Sequence, residues 1–203
     1  MLRTLLTTAA VFGVATSATA MEFNLGVQGG YSWSESDVTI PAYGPSNFTL
    51  DSDGWVLGGF AGVDWDMGPG WSLGVEADGN WTDAEGDNLS GLGLELYVIE
   101  QNWNASLRGR VAFDIAANTE FYGTLGWAWT DIDTEYSPLA GGTDNATLDG
   151  WTAGFGLERN YGSWFGRAEY RYTAYDDAGF FHNGPSTADL TSNTILFGIG
   201  WTM

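Results

Sequence analysis

Apolar and polar residues alternate along most of the chain after residue 20, and the alternation has a period of two. A period of two is typical of a β-strand with one apolar face, because successive side chains of a strand point to opposite faces. Eight such segments follow one another, at 23–33, 55–65, 71–81, 97–113, 121–129, 151–157, 164–172 and 195–203. The pattern therefore predicts an all-β fold of eight strands.

The links between the predicted strands alternate in length. The short links are 66–70, 114–119 and 159–163, and the first of them contains the turn signal Gly68-Pro69-Gly70. The long links are 34–53, 83–96, 131–149 and 176–190. Alternating links, with both termini on the short side, predict an eight-stranded antiparallel up-and-down transmembrane β-barrel with tight turns at one end.

The first twenty residues have the pattern of a removable export signal. Arg3 precedes an apolar stretch from Leu5 to Ala15, and Ala18-Thr19-Ala20 fits the small-x-small cleavage pattern. The alternative, a membrane anchor, is disfavoured because a spanning helix needs about 18 apolar residues. The predicted domains are a signal peptide over 1–20 and a single barrel over 21–203.

The two faces of the predicted strands differ sharply in charge. The apolar face carries no charged residue, and Gln101 is its one strongly polar member. A soluble barrel would turn the charged face to solvent, whereas a membrane barrel turns it to the lumen. The charged face holds Glu76, Asp78, Glu100, Arg108, Arg110, Glu120, Glu158, Arg167, Glu169 and Arg171.

The spacing of the tryptophans favours the membrane barrel. Trp55 and Trp65 lie ten residues apart on one strand, as do Trp71 and Trp81 on the next. Ten residues at ~3.3 Å each and a tilt near 40° rise roughly 25 Å, the height of the apolar band of an outer-membrane barrel. The predicted interface aromatics are Trp33, Trp55, Trp65, Trp71, Trp81, Tyr97, Phe113, Phe121, Trp129, Trp151, Trp164 and Trp201.

Charged side chains inside such a barrel need partners. An eight-stranded barrel has an interior that side chains fill, and unpaired buried charges are costly. We therefore expect the lumen residues to form Arg–carboxylate pairs, whose identity depends on a strand register that the sequence does not give. The alternative is that these charges line a narrow pore for small solutes.

Two stretches of the sequence resemble a known family. Residues 150–175, GWTAGFGLERNYGSWFGRAEYRYTAY, are similar to the last hairpin but one of small outer-membrane barrels of the porin-like or opacity type, related to the OmpA membrane domain. Residues 103–113, WNASLRGRVAF, resemble their fourth strand. The resemblance implies a bacterial outer-membrane protein with a structural role, in contact with lipid and lipopolysaccharide and folded by the barrel-assembly machinery. Some members of this family bind host surfaces or haem. The chain departs from the family at its last residue, which is Met203 rather than an aromatic residue.

Composition excludes several other classes of function. The chain has 26 Asp or Glu against 6 Lys or Arg, for a formal net charge of -20, and all six cations are arginine. So acidic a protein is unsuited to nucleic acid, because phosphate binding requires a basic surface. The chain has no cysteine, which excludes disulfides, thiolate metal sites and thiol catalysis.

Candidate chemistry outside the strands is weak. His182, the one histidine, lies in the fourth long link, and a triad with Ser186 and Asp189 lacks any nucleophile motif. A haem or metal contact through His182 and Tyr175 would have few ligands. We expect no enzymatic activity and no cofactor.

The long links hold 16 of the 26 carboxylates and no Lys or Arg. Asp131-x-Asp133-x-Glu135 opens like a calcium loop but lacks Gly at the sixth position and Glu at the twelfth. A solvated anionic rim that binds divalent cations loosely is the expectation. The predicted function is a structural contribution to envelope integrity. The alternatives are surface ligand binding or adhesion, and a small-solute pore.

Overall fold

The protein is described here by a computed structural model of the 203-residue chain. The backbone is described for residues 21–40, 46–89, 95–136, 143–180 and 186–203, and side chains for 21–35, 51–84, 101–131, 147–176 and 190–203. The predicted signal peptide over 1–20 therefore lies outside the described residues. The described part contains no helix long and apolar enough to cross a membrane.

Eight antiparallel strands form one closed barrel, as the sequence predicts. Each strand pairs with its neighbours in the chain, and β1 pairs with β8 to close the barrel. The strands are β1 (Met21–Ile40), β2 (Ser46–Gly68), β3 (Trp71–Leu89), β4 (Glu95–Ala116), β5 (Thr119–Tyr136), β6 (Thr143–Asn160), β7 (Trp164–Phe180) and β8 (Ser186–Thr202). The predicted fold class and strand order are confirmed.

Three tight turns, the start of β1 at Met21 and the last residue, Met203, lie at the same end of the barrel, which we call the turn end. Gly70, with φ of 81°, and Asn118, with φ of 57°, take the left-handed conformation that these two residue types tolerate best. Phe23 and Met203 exchange backbone hydrogen bonds of 3.1 and 2.8 Å, which hold the last residue against β1. The opposite end is called the far end.

The strands extend much further toward the far end than the sequence predicts. The predicted long links 34–53, 83–96, 131–149 and 176–190 are largely strand; β1 and β2, for example, pair as far as Ile40 and Ser46. Sequence alternation failed there because it detects an apolar face, whereas backbone pairing continues between strands that are polar on both faces. Strands of 17 to 23 residues rise roughly 40–60 Å, about twice the height of an apolar band.

Inward and outward side chains alternate as predicted along most of each strand. Leu57, Leu125 and Phe197 point outward and are 67%, 66% and 64% exposed. The inward positions hold small, polar and charged residues with a few large apolar ones, among them Phe60 and Phe165.

Gln101 is a correction to the predicted faces. The sequence places it on the apolar face with Trp103, but it is buried and donates to Thr130 Oγ1 at 2.6 Å. The pairing of β4 with β5 shifts by one residue between Gln101 and Trp103, so a β-bulge at Asn102 reverses the alternation. A period-two pattern cannot register one extra residue in a strand.

The facing of the strands generates a stability prediction. Val75 is 43% exposed on the outer surface, midway along the apolar face of β3, and Ile115 is 58% exposed beyond Phe113, near the turn end. In lipid, Val75→Arg should lower the free energy of unfolding by roughly 2–4 kcal/mol, and Ile115→Arg by about 0–1 kcal/mol, because the cost of a charge falls toward the interface. Urea unfolding in lipid vesicles measures both, and equal losses would contradict the assignment of the outer face to lipid.

Candidate functional site in the barrel lumen

The centre of the lumen is occupied by Arg108 on β4, whose side chain is almost fully buried. The register of β3 and β4 sets Glu76 directly opposite Arg108, and both side chains point inward. Arg108 Nη2 lies 2.6 Å from Glu76 Oε1 and 3.0 Å from Asp78 Oδ2. Its Nη1 lies 2.5 Å from Glu169 Oε1 on β7 and 3.1 Å from Thr124 Oγ1 on β5. One guanidinium thus joins four strands.

Two further arginines on β7 complete this arrangement. Arg167 Nη1 lies 2.5 Å from Glu76 Oε2, and its Nη2 donates to Gln28 Oε1 at 2.6 Å. Arg171 contacts Asp78 Oδ1 through Nη1 and Glu169 Oε1 through Nε, both at 3.0 Å. Each carboxylate is therefore shared by two arginines. We call this set the central cluster: Glu76, Asp78, Arg108, Arg167, Glu169 and Arg171.

The formal charges of the central cluster cancel, with three arginines against three carboxylates. Neutral donors complete the carboxylate shells: Ser106 Oγ lies 2.5 Å from Asp78 Oδ2, and Tyr122 Oη donates to Glu169 Oε2 at 2.9 Å. Buried ions are tolerated when they are paired and hydrogen-bonded. All six ions of the central cluster are paired, and among its buried polar atoms only Arg108 Nε and Arg171 Nη2 have no hydrogen-bond partner in the described structure.

A second group of charges, the turn-end cluster, surrounds Arg110 nearer the turns. Arg110 lies 2.9 Å from Asp64, 3.2 Å from Glu158 and 3.5 Å from Glu120. One cation therefore faces three carboxylates. Amide groups donate some of the hydrogen bonds that further cations would otherwise supply. Asn24 Nδ2 lies 2.6 Å from Asp64 Oδ2, and the Asn160 amide on β6 donates to Glu120.

Three buried aromatic side chains contact the charged clusters. Phe60 and Phe165 lie with ring centroids 6.0 Å apart, and both are buried, as is Tyr122. The guanidinium of Arg167 lies 3.4 Å from the Phe60 ring centre, and that of Arg110 lies 4.6 Å from the Tyr122 ring centre. Each cluster therefore has a cation–π contact with a buried ring.

On the far side of the central cluster the lumen is polar but narrow. Asn80 donates to Asp78 and Asn104 and accepts from Gln28, all within 2.9 Å. A cavity of about 20 Å³ borders Asn80, Asn104 and Arg171, which is room for about one water molecule.

The structure places nine of the ten predicted lumen charges in these two clusters. Glu100 lies in β4, but its side chain is outside the described residues. Asp64 was missed, although its inward position follows from the alternation with Val63 and Trp65. Gln28 and Tyr122 were not predicted as partners of the charged residues. Sequence alone does not distinguish an uncharged inward residue that hydrogen-bonds to a charge from one that only packs in the lumen.

The predicted interface aromatics lie on the outer surface where their side chains are described. Trp65 is half-buried, and the side chain of Tyr97 lies outside the described residues. Trp71 stands opposite Phe113, which stands opposite Phe121, so these three rings form one row near the turn end. The exposed members are Trp33, Trp55, Trp71, Trp81, Phe113, Phe121, Trp129, Trp151, Trp164 and Trp201.

Most of the candidate catalytic and metal-binding residues in the predicted long links have side chains outside the described residues. His182 lies outside the described residues, as do the side chains of Ser186, Asp189, Asp133 and Glu135. Within the described part, no group of three or more acidic or histidine side chains is arranged to hold a metal ion.

Comparison with known proteins gives a consistent picture. A family model described as "Outer membrane protein beta-barrel domain" matches residues 4–202. A search of curated protein sequences found no match.

Solved structures of three outer-membrane proteins are similar in fold. OprG from Pseudomonas aeruginosa is 14% identical with a TM-score of 0.55, covering 91% of this chain and 97% of its own. The outer membrane protease OmpT from Escherichia coli is 8% identical with a TM-score of 0.52, covering 93% and 99%. Ail, the attachment invasion locus protein of Yersinia pestis, is 15% identical with a TM-score of 0.51, covering 89% and 98%.

The central cluster generates a stability prediction. Arg108→Met removes one cation and leaves Glu76, Asp78 and Glu169 with two arginines, so unfolding in lipid vesicles should become easier by roughly 3–5 kcal/mol. Arg159→Met is the matched control, because Arg159 is exposed near the turn end, 5.8 Å from the Tyr161 ring. A loss for Arg108→Met no greater than that of the control would show that the cluster does not stabilise the barrel.

Proposed function

The chain belongs to the outer membrane protein β-barrel domain family, and on that premise we propose that it is a structural outer-membrane protein, closed to solutes, that contributes to envelope integrity. The protein is an outer-membrane β-barrel, and its apolar outer surface meets lipid. The outer membrane is a permeability barrier, and a barrel that spans it without a pore leaves that barrier intact. The proposal assigns the protein no enzymatic activity.

The central cluster is the observation that carries this proposal. β3 and β7 are four strands apart in a closed barrel of eight, so they are opposite walls. Arg167 and Arg171 on β7 contact Glu76 and Asp78 on β3, at 2.5 and 3.0 Å. Side chains that join opposite walls at these distances fill the bore, which supports a closed lumen and argues against a solute pore.

The outward aromatics support the placement of the barrel in the bilayer. We propose that the aromatics near the turn end form the periplasmic girdle. Its members are Trp65, Trp71, Phe113, Phe121, Trp164 and Trp201. The outer girdle is then formed by the aromatics nearer the far end, which becomes extracellular because short turns face the periplasm in this class of barrel. The outer girdle consists of Trp33, Trp55, Trp81, Trp129 and Trp151. Tyr97, which the sequence predicts as a further member, lies beyond the bulge at Asn102 and is left out of the girdle.

The proposal includes the partners expected of such a protein. The alternating apolar face of β8 continues to Trp201, which supports folding by the barrel-assembly machinery. Lipopolysaccharide would contact the outer girdle, and the acidic far end would bind divalent cations loosely. The predicted long links, which lie at the far end, contain no lysine or arginine, so anionic lipid headgroups would meet this end through such cations.

Conductance tests the closed lumen. The purified barrel, inserted into a planar lipid bilayer, should give no stable current steps, because the central cluster blocks the bore. A general porin inserted in the same bilayer serves as the positive control for insertion and recording. Reproducible steps from the unmodified protein would overturn the closed-lumen proposal.

Deletion in the bacterium that makes the protein tests the envelope role. The deletion strain should take up more of a hydrophobic fluorescent dye and become more sensitive to detergent, and the wild-type gene should restore both properties. Complementation with Arg159→Met should restore both properties as well, because Arg159 lies outside the two charge clusters, and it shows that a single substitution does not prevent expression. A deletion strain with unchanged dye uptake and detergent resistance would reject the envelope role.

A further inference from the structure

Most strand pairs remain paired to the far end of the barrel. Each pair of neighbouring strands forms one junction of the barrel. Six of these junctions, the four hairpins together with β1–β8 and β4–β5, extend well beyond the outer girdle. Their last pairs are Ile40 with Ser46, Leu89 with Glu95, Glu135 with Thr143, Phe180 with Ser186, Thr39 with Thr187, and Tyr97 with Tyr136.

Two junctions stop earlier. The pairing of β2 with β3 ends at Asp53 and Glu85, and that of β6 with β7 ends at Gly150 and Tyr175. Beyond these points, among the described residues, β2 pairs with β1 alone and β6 with β5 alone. The two junctions are four strands apart, so they lie on opposite sides of the barrel. The far end therefore divides into two four-stranded sheets, β7-β8-β1-β2 and β3-β4-β5-β6.

A β-bulge lies at each point of division. The pairing of β7 with β8 shifts between Tyr175 and Ala178, where β7 has one residue more than β8. The pairing of β3 with β4 shifts between Trp81 and Ala84, close to the end of the β2–β3 pairing. A bulge bends its strand and increases its twist, so each bulge directs its strand away from the neighbour across the split.

The unpaired edge of β6 consists of residues 143–149, and its last two residues are held in place by packing and by a hydrogen bond. Leu148 is 6% exposed and packs with Ala128 and Tyr175 inside the barrel. Asp149 accepts a hydrogen bond of 2.8 Å from Trp127 Nε1 on β5. This edge is thus a preformed strand whose second side lacks a paired strand in the described structure.

We propose that this edge of β6 binds an extended, basic peptide segment of another protein as an added strand. An unpaired strand edge offers backbone N–H and C=O groups, which is the basis of β-strand addition. The proposal is independent of the closed lumen, because the edge lies beyond the outer girdle.

The charges of the residues that border the gap between β6 and β7 decide which kind of peptide can bind there. Asp144 and Asp149 lie on β6, and Asp176 and Asp177 lie at the bulge of β7, while neither 143–149 nor 176–180 contains a cation. A second copy of the chain would bring the same negative charges to the edge, and like charges oppose such pairing. A basic strand is attracted instead, and its backbone pairs with the edge.

The test uses the full barrel in phosphocholine nanodiscs and a synthetic eight-residue peptide of alternating arginine and threonine. Fluorescence anisotropy measures the affinity, and hydrogen exchange measures the protection of amides 143–149. The matched control is the same peptide N-methylated at alternate residues, which keeps the charge but removes the donors on one edge. Loss of several main-chain hydrogen bonds should weaken binding at least about tenfold.

Two protein variants complete the test. Deletion of Asp176 removes the extra residue of the bulge, so β7 should continue alongside β6 and binding should fall at least about tenfold, as with the methylated peptide. Asp176→Asn removes the same charge but keeps the bulge, so it should retain most of the affinity. A heat-shifted band on an unboiled gel confirms that each variant has folded, and the peptide pair decides the result if the deletion variant has not.

Three results would overturn the proposal. Equal affinity of the two peptides would show charge attraction without strand addition. Protection elsewhere than 143–149 would place the peptide at another site. Protection of these amides without any peptide, together with dimers in ultracentrifugation, would make a second copy the occupant.

Discussion

The narrow bore of an eight-stranded barrel is the constraint on which the rest of this structure depends. Side chains fill such an interior, so an inward charge has little water and needs partners within the protein. Arg108 meets this requirement by contacting Glu76, Asp78 and Glu169 at once. The same contacts join strands far apart in the chain, so the interaction that neutralises the charges also holds opposite walls together.

Charge balance changes along the lumen with access to water. The central cluster is deeply buried and its formal charges cancel. The turn-end cluster has two carboxylates in excess around Arg110, but it lies nearer the mouth, and the side chain of Glu120 keeps 23% of its exposure. Amide groups donate to these carboxylates in place of further arginines: Asn24 to Asp64, and Asn160 to Glu120. Full charge pairing is therefore found in the central cluster, where the side chains are most deeply buried and desolvation costs most.

The sequence predicted the strand number and the inward charges, because both follow from a period of two, and the antiparallel order, because short and long links alternate. It could not predict which arginine meets which carboxylate, since this depends on register between strands such as β3 and β7 that do not adjoin. It missed Asp64, which lies among glycines and a phenylalanine on an inward face with little polar pattern. It misplaced Gln101 because the bulge residue Asn102 shifts the alternation by one position.

Differences in strand pairing divide the barrel into two zones. Between the girdles the alternation is regular, every strand pairs on both sides, and the lumen is filled by charges. At the far end the β2–β3 and β6–β7 pairings end early, next to bulges in β3 and β7, and four strand edges lack a paired neighbour among the described residues. An open edge inside the bilayer would leave polar backbone groups in hydrocarbon, which is costly. Beyond the outer girdle, water solvates these groups, so a β-barrel can present accessible strand edges there without opening its membrane-spanning part.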